Sequence, residues 1–263
     1  MSNIYNDIFK EKIFKEKAFI PFITAGDPTA DSTVKYILAM AKAGADLIEV
    51  GIPFSDPIAE GPVIQEADIR ALSGGMTTDG VFDIVKRVRE QSDVPLAFMT
   101  YINPVFHYGY DKFFEKCKEL DICAIIIPDM PFEERAEVKE TAAKFGIKVI
   151  YLVAPTSHER VKSIAREAEG FIYIVSSMGV TGIRSDINTN LDEIVSSIRE
   201  VTDTPCAIGF GISKPEQAKK MAGIADGAIV GSAIVKIIAE YGENAEEQVY
   251  EYVKSMKEAV MQA

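Results

Sequence analysis

The feature that most constrains this chain is an alternation of two patterns: short apolar runs suited to buried strands take turns with amphipathic helical stretches, eight times over. Neighbouring parallel strands need a long, usually helical, crossover between them, so strict alternation is the pattern of a parallel sheet. The strand candidates are Ala18 to Thr24, Leu47 to Gly51, Pro95 to Tyr101, Ala124 to Pro128, Val149 to Val153, Gly170 to Ser176, Pro205 to Gly209 and Gly227 to Val230. Helical patterns follow at Ser32 to Ala43, Val81 to Glu90, Lys112 to Glu119, Arg135 to Phe145, His158 to Ala168, Leu191 to Glu200, Pro215 to Met221 and Ile234 to Met261, the last interrupted near Gly242. In the first of these, Val34, Ile37, Leu38 and Met40 keep a helical period, and Gly44 ends it. Two segments fall outside the repeat: an N-terminal helix near Ile4 to Phe14, and a short extra helix at Ile64 to Leu72 after strand two. No linker or composition shift divides the chain, and 263 residues can bury one large core. The reading is a single α/β domain over residues 1–263, and eight units over about 240 residues favour a closed (β/α)8 TIM barrel over an open doubly wound sheet.

A closed barrel sends every loop that follows a strand to one rim, where barrel enzymes keep their chemistry. The stretch EVGIPFSDPIAEGP, Glu49 to Pro62, ends a strand on a carboxylate and then opens into a loop carrying more acids. Glu49 and Glu60 form a candidate catalytic pair, because two acids at one mouth suit proton transfer on either side of a breaking bond. A desolvated glutamate with a raised pKa can act as acid and base in turn. Taken singly, Glu49 could equally be a structural acid and Glu60 a solvated one. Asp56, between Pro53 and Pro57, is expected to shape the loop or meet a partner, and Asp129 in IIIPDMP is of the same kind.

On the same rim, Val180-Thr181-Gly182 follows strand six, Gly209-Phe210-Gly211 ends strand seven, and Gly231-Ser232 follows strand eight. Each glycine alone is an ordinary turn or cap residue. Together they offer backbone N–H groups and a helix N-terminus to an anion, in the loops where such barrels hold phosphate. The polar segment Ser176 to Asn190 is long enough to be a lid. Phe22, Tyr101, Ile126 and Tyr173 at strand ends could wall a flat apolar substrate, although each alone suits the core.

Charge and residue usage remove other classes. A formal net charge of −12 repels nucleic-acid and anionic-membrane surfaces, so a phosphorylated ligand must be held by local donors. The N-terminal segment has no continuous apolar stretch and no run is long enough to span a bilayer, so neither a signal peptide nor a membrane anchor is expected. Cys117, Cys123 and Cys206 lack metal-ligand spacing and read as buried thiols of a cytoplasmic protein. With His107 and His158 alone, a multi-histidine metal site is excluded and a Ser-His-Asp triad is not expected.

The motifs PFITAGDPT, EVGIPFSDPIAEGP, MTYINPVF, IIIPDMPFEE, SSMGVTG, GFGIS and IVGSAIVKII resemble, in order and over essentially the whole chain, the tryptophan synthase alpha subunit family. The resemblance implies a lyase that cleaves indole-3-glycerol phosphate to indole and glyceraldehyde 3-phosphate, without cofactor or metal. It also implies a beta subunit as partner in an alpha2beta2 tetramer. Glu49 takes the place of the family's catalytic glutamate. Thr181 and Gly182 fall in its mobile loop, Phe210, Gly211, Gly231 and Ser232 around its phosphate site, and Phe22, Tyr101, Ile126 and Tyr173 around its indole pocket. The rim loops near Asp56, Pro131 and Phe132 are expected to face the partner. Two departures stand out. Glu60 occupies the position of the family's usual aspartate, and Ser177 that of an arginine common after the first serine of the lid. Three alternatives stay open: another phosphate-binding barrel enzyme, a stand-alone indole-releasing lyase, and a non-catalytic activator of the beta subunit.

Overall fold

In a computed structural model, which describes residues 7–155, 157–175, 191–209 and 211–263, the apolar runs pair in chain order. The strands β1 (Ala18–Thr24), β2 (Ile48–Gly51), β3 (Leu96–Met99), β4 (Ile122–Ile126), β5 (Lys148–Val153), β6 (Ile172–Val175), β7 (Cys206–Gly209) and β8 (Gly227–Val230) form a closed parallel barrel in sequential order. β8 returns to β1 with Ala18 opposite Gly227, which closes the ring. Around it lie α1 (Ala30–Lys42), α2 (Pro62–Ser73), α3 (Thr78–Arg89), α4 (Ile102–Tyr108), α5 (Tyr110–Glu119), α6 (Ala136–Lys144), α7 (His158–Glu167), α8 (Leu191–Arg199), α9 (Pro215–Ile224), α10 (Ser232–Tyr241) and α11 (Glu246–Val260). Among the described residues, no helix is long and apolar enough to cross a membrane.

The strands are hydrophobic on both faces because both are covered. Phe19, Ile23, Ile48, Val50, Phe98, Ile125, Ile172, Ile174 and Ile208 point outward into the layer beneath the helices. The residues between them, including Ile20, Leu47, Ala97, Ala124, Ile126, Ile150, Tyr173, Ala207 and Ile229, fill the barrel. Thr29, Thr77 and Ser157 cap α1, α3 and α7, each accepting a first-turn backbone N–H.

Two elements lie outside the eightfold repeat as expected, and a third was not expected. The N-terminal segment makes a short π-type turn, Phe9–Ile13. Phe9 and Ile13 enter the barrel interior from its N-terminal end, where Phe9 and Phe14 both meet Phe171. This turn is a plug: Phe9→Ala is expected to lower the unfolding free energy by about 3 kcal/mol, read from urea denaturation, because the ring leaves a void that the rigid barrel cannot collapse into. α2, the extra helix after β2, runs from Pro62 to Ser73 and packs against α10 over Phe22. The unexpected element is α4. Its proline, Pro104, falls in the first helical turn, where no intrahelical N–H is needed.

Candidate active site

The register of the first strands sets the site. Phe22 lies opposite Glu49, and Glu49 opposite Ala97, so all three side chains point to the barrel interior. Leu47 precedes Glu49 on that face, and Ile48 and Val50 beside it face the helix layer. A carboxylate thus sits near the C-terminal end of β2 where the alternation calls for hydrocarbon. It is 1% exposed, and neither oxygen has a hydrogen-bond partner among the described residues. Burial without compensation pushes its pKa up to about 8, so the carboxyl holds its proton at neutral pH.

Apolar and aromatic groups wall this acid. Ile126 on β4 is fully buried in the barrel core. Tyr173 on β6 is buried too, and the nearby charge of Glu49 adds to the desolvation that holds its phenol well above its ordinary pKa. The phenol rests against the end of β7, where a Cβ on Gly209 would stand 2.5 Å from its oxygen. Gly209 is therefore needed for the approach of Tyr173. Phe22 lies at the mouth under α2 and α10, beside Ile64, Ala67 and Val235. Ala97, Ala124 and Ala207 are small members of the same interior cluster.

Glu60 reaches the same mouth from the loop between β2 and α2. It is 8% exposed, which excludes the solvated reading. The hydroxyl of Tyr101 donates to its carboxylate and accepts the Ala59 N–H at 3.0 Å. Burial first, with the Asp129 charge adding, pushes Glu60 up to about 7; the Tyr101 bond opposes this. Asp129 accepts the Ile102 N–H at 3.0 Å and so anchors the start of α4, as a loop-shaping acid should. Glu49 and Glu60 are thus two buried acids on the same side of the barrel, both pushed above the ordinary carboxylate range. One can deliver a proton while the other accepts one.

The residues expected to cradle an anion are described in part. α10 begins without a side-chain cap at Gly231. Its first intrahelical bond runs from the Ile234 N–H to the Gly231 carbonyl at 2.9 Å, which leaves the N–H groups of Ser232 and Ala233 ahead of the ladder. A Cβ on Gly231 would approach the Phe22 ring to 3.3 Å, so the start of α10 adjoins Phe22. Gly211 has φ +83°, a left-handed conformation that favours glycine. Thr181, Gly182 and Phe210, and the proposed lid from Ser176 to Asn190, lie outside the described residues.

The rim residues expected to face a partner divide. Asp56 is exposed and accepts a hydrogen bond from the Ser55 hydroxyl. Pro131 is exposed, but Phe132 is half-buried, with the Arg135 guanidinium 3.2 Å from its ring centre and Tyr151 edge-on at 5.8 Å. Sequence reasoning passed over Ile58, 73% exposed, and Phe106, 63% exposed, in the segments after β2 and β3. It also passed over Asp68, which occupies the buried stripe of α2 with Ile64, Ala67 and Ala71. The i, i+3, i+4, i+7 spacing of that stripe was the available signal.

The raised acids fix the sign of a stability effect. Unfolded, Glu49 loses its proton near its ordinary 4.5; folded, it keeps it to about 8. The folded state therefore binds more protons in that window, and stability is lost as pH rises from about 4.5 to about 8. Glu49→Gln is expected to match the parent at pH 5 and exceed it at pH 9 by about 2–4 kcal/mol, read from paired urea titrations. A gap that does not widen with pH would refute a neutral buried Glu49.

Comparison with known proteins agrees with this geometry. The family model described as tryptophan synthase alpha chain matches residues 9–261. The tryptophan synthase alpha chain of Lacticaseibacillus casei is 50% identical over 254 residues, 97% of this chain and 94% of its own. That of Caldanaerobacter subterraneus subsp. tengcongensis is 47% identical over 258 residues, 97% of each. A chain of Mycobacterium tuberculosis tryptophan synthase superposes with a TM-score of 0.88 at 30% identity, covering 99% of both chains. One from the tryptophan synthase a2b2 complex of the hyperthermophile Pyrococcus furiosus gives 0.85 at 38%, covering 92% of this chain and 98% of that one. Matched along nearly its whole length in sequence and in fold, this chain belongs to the tryptophan synthase alpha chain family.

Proposed function

We propose that the barrel mouth cleaves indole-3-glycerol phosphate to indole and glyceraldehyde 3-phosphate, with Glu49 and Glu60 as its two proton-transfer groups. The observation that carries this reading is the pair of buried acids, both pushed above the ordinary carboxylate range, beside apolar and aromatic side chains and an uncapped helix N-terminus. The phosphate sits at the N–H groups of Gly211, Ser232 and Ala233, which suits an acidic chain that must bind an anion through local dipoles. The flat indole lies among Phe22, Tyr101, Ile126 and Tyr173. Neutral Glu49 gives its proton to indole C3 while the Glu60 carboxylate takes the N–H proton. The Glu49 carboxylate so formed then removes the proton of the side-chain hydroxyl next to the ring. The carbon–carbon bond breaks, its electron pair returns through the ring to nitrogen, and Glu60 restores the N–H proton. Both acids end as they began.

The chain works as the alpha subunit of an alpha2beta2 assembly in the cytoplasm, and its product indole passes to the beta subunit. Exposed Ile58 and Phe106 beside Asp56 and Pro131 support a partner surface on the rim, since large apolar groups with charged neighbours mark interaction sites. Asp56→Lys is expected to weaken association with the beta subunit about tenfold by titration calorimetry, with an unchanged melting temperature. Unchanged affinity would remove Asp56 from the interface.

Indole release from indole-3-glycerol phosphate by the purified chain, with and without beta subunit, tests the whole reading. No indole under either condition, with substrate still bound, would leave the non-catalytic activator standing.

A further inference from the structure

α2 holds a carboxylate on its buried stripe: Asp68 is 5% exposed, between Ala67 and Ala71. A buried acid in a helix interior persists only where something holds it. The Asp68 carboxyl lies close to the backbone N–H of Phe54, in the loop between β2 and α2. The Phe54 ring lies against that of Tyr101, centroids 5.2 Å apart. The Tyr101 hydroxyl in turn accepts the Ala59 N–H and donates to Glu60. Gln65 closes the loop by donating to the Glu60 carbonyl at 2.7 Å. The loop is therefore pinned near both ends, and Asp68 supplies the pin at Phe54.

We propose that Asp68 is a positioning residue for the cleavage step, holding the loop through Phe54 so that the Glu60 carboxylate stays on the Tyr101 hydroxyl and faces the substrate nitrogen. The proposal rests on Glu60 being the group that serves that nitrogen. Asp68 faces Glu60 from the loop and Asp27 from the segment after β1. Asp27 is paired with Arg70 of α2 through two contacts of 2.8 Å, which anchors the helix itself. Glu60 faces Tyr101 and Asp129. Burial and the Glu60 charge push Asp68 up to about 8, above Glu60 at about 7. Either protonation state of Asp68 leaves an oxygen able to face the Phe54 N–H. Charge on Asp68 is not required; an acceptor at its position is.

Asp68→Ala and Asp68→Asn, each alone and with Glu60→Ala, test this by steady-state indole release. Asp68→Ala is expected to lower kcat about thirtyfold with KM within about twofold, because the loop is misplaced while indole and phosphate contacts stay. Asp68→Asn, which keeps an oxygen acceptor, is expected to stay within about threefold of the parent. In the Glu60→Ala background, Asp68→Ala is expected to cost nothing further. Equal losses in both backgrounds, a rise in KM alone, or a large loss in Asp68→Asn would overturn the proposal. If Glu60→Ala is itself fully active, the reading of Glu60 has failed. If Glu60→Ala is slow and Asp68→Ala is not, only the role of Asp68 has failed. Should Asp68→Ala not fold, Asp68→Ser, too short to reach Phe54, carries the same expectation; failure of both to fold would make Asp68 a stability residue and sink its positioning role.

Discussion

Glu49→Gln is expected to lower kcat for indole release by at least about a thousandfold, with KM within a few-fold. The size follows from the position of the group. General acid–base catalysis by one side chain contributes about a hundred- to ten-thousandfold, and Glu49 serves twice, giving a proton to carbon and then taking one from oxygen. Glutamine fills the same volume and keeps two polar atoms but carries no transferable proton, so binding survives and chemistry does not. Desolvation is what makes the parent competent: with no partner among the described residues and a pKa of about 8, Glu49 enters the reaction protonated. An ordinary carboxyl would have shed that proton before substrate arrived. The loss should persist in the presence of beta subunit, since no partner residue can replace a proton donor inside the barrel. If Glu49→Gln retained more than about a tenth of the parental kcat, Glu49 could not be the shuttle.

The barrel was legible because period and burial say the same thing in its strands. β1 and β8 span the residues their apolar runs mark, and Glu49 was readable as an inward carboxylate because Leu47 precedes it on the inner face. What the chain pattern could not carry is convergence between segments distant in sequence. Glu60 reads as a loop acid, and only Tyr101, arriving from the end of β3, shows it to be buried and hydrogen-bonded. Asp68 was hidden for a related reason: among Gln65, Glu66 and Arg70 of the same helix, one acid on the buried stripe looks like one more solvated charge. Phe132 has the opposite history. Read as a rim residue for a partner, it is half-buried against Arg135 and Tyr151 of its own chain. Gly209 read as part of an anion loop, yet its lack of a side chain makes space for Tyr173, a requirement set by the neighbouring strand.

The second large effect is expected at Glu60, and it separates charge from shape. Glu60→Ala should lower kcat about a hundredfold, since the indole nitrogen then loses its proton acceptor. Glu60→Gln should be nearly as slow, because it keeps the length and the Tyr101 contact but cannot take a proton. Full activity in Glu60→Gln would show that no ionised acid is needed there. Glu60→Asp restores the family's usual residue at a carboxylate position displaced by about 1.5 Å, one carbon–carbon bond. The loop here is pinned by Asp68, Tyr101 and Gln65 around the longer side chain. Glu60→Asp should therefore keep the parental pH dependence and lose up to about tenfold in rate. That pH dependence follows from the two acids. Glu60 must be ionised and Glu49 protonated, so kcat/KM should rise as pH passes about 7 and fall as it passes about 8. In Glu60→Gln the rise through about 7 should vanish while the fall near 8 remains, since only Glu49 is left to titrate of the two. A Glu60→Gln variant that kept the acid limb would assign that limb to another group and leave Glu60 as a hydrogen-bonding residue alone.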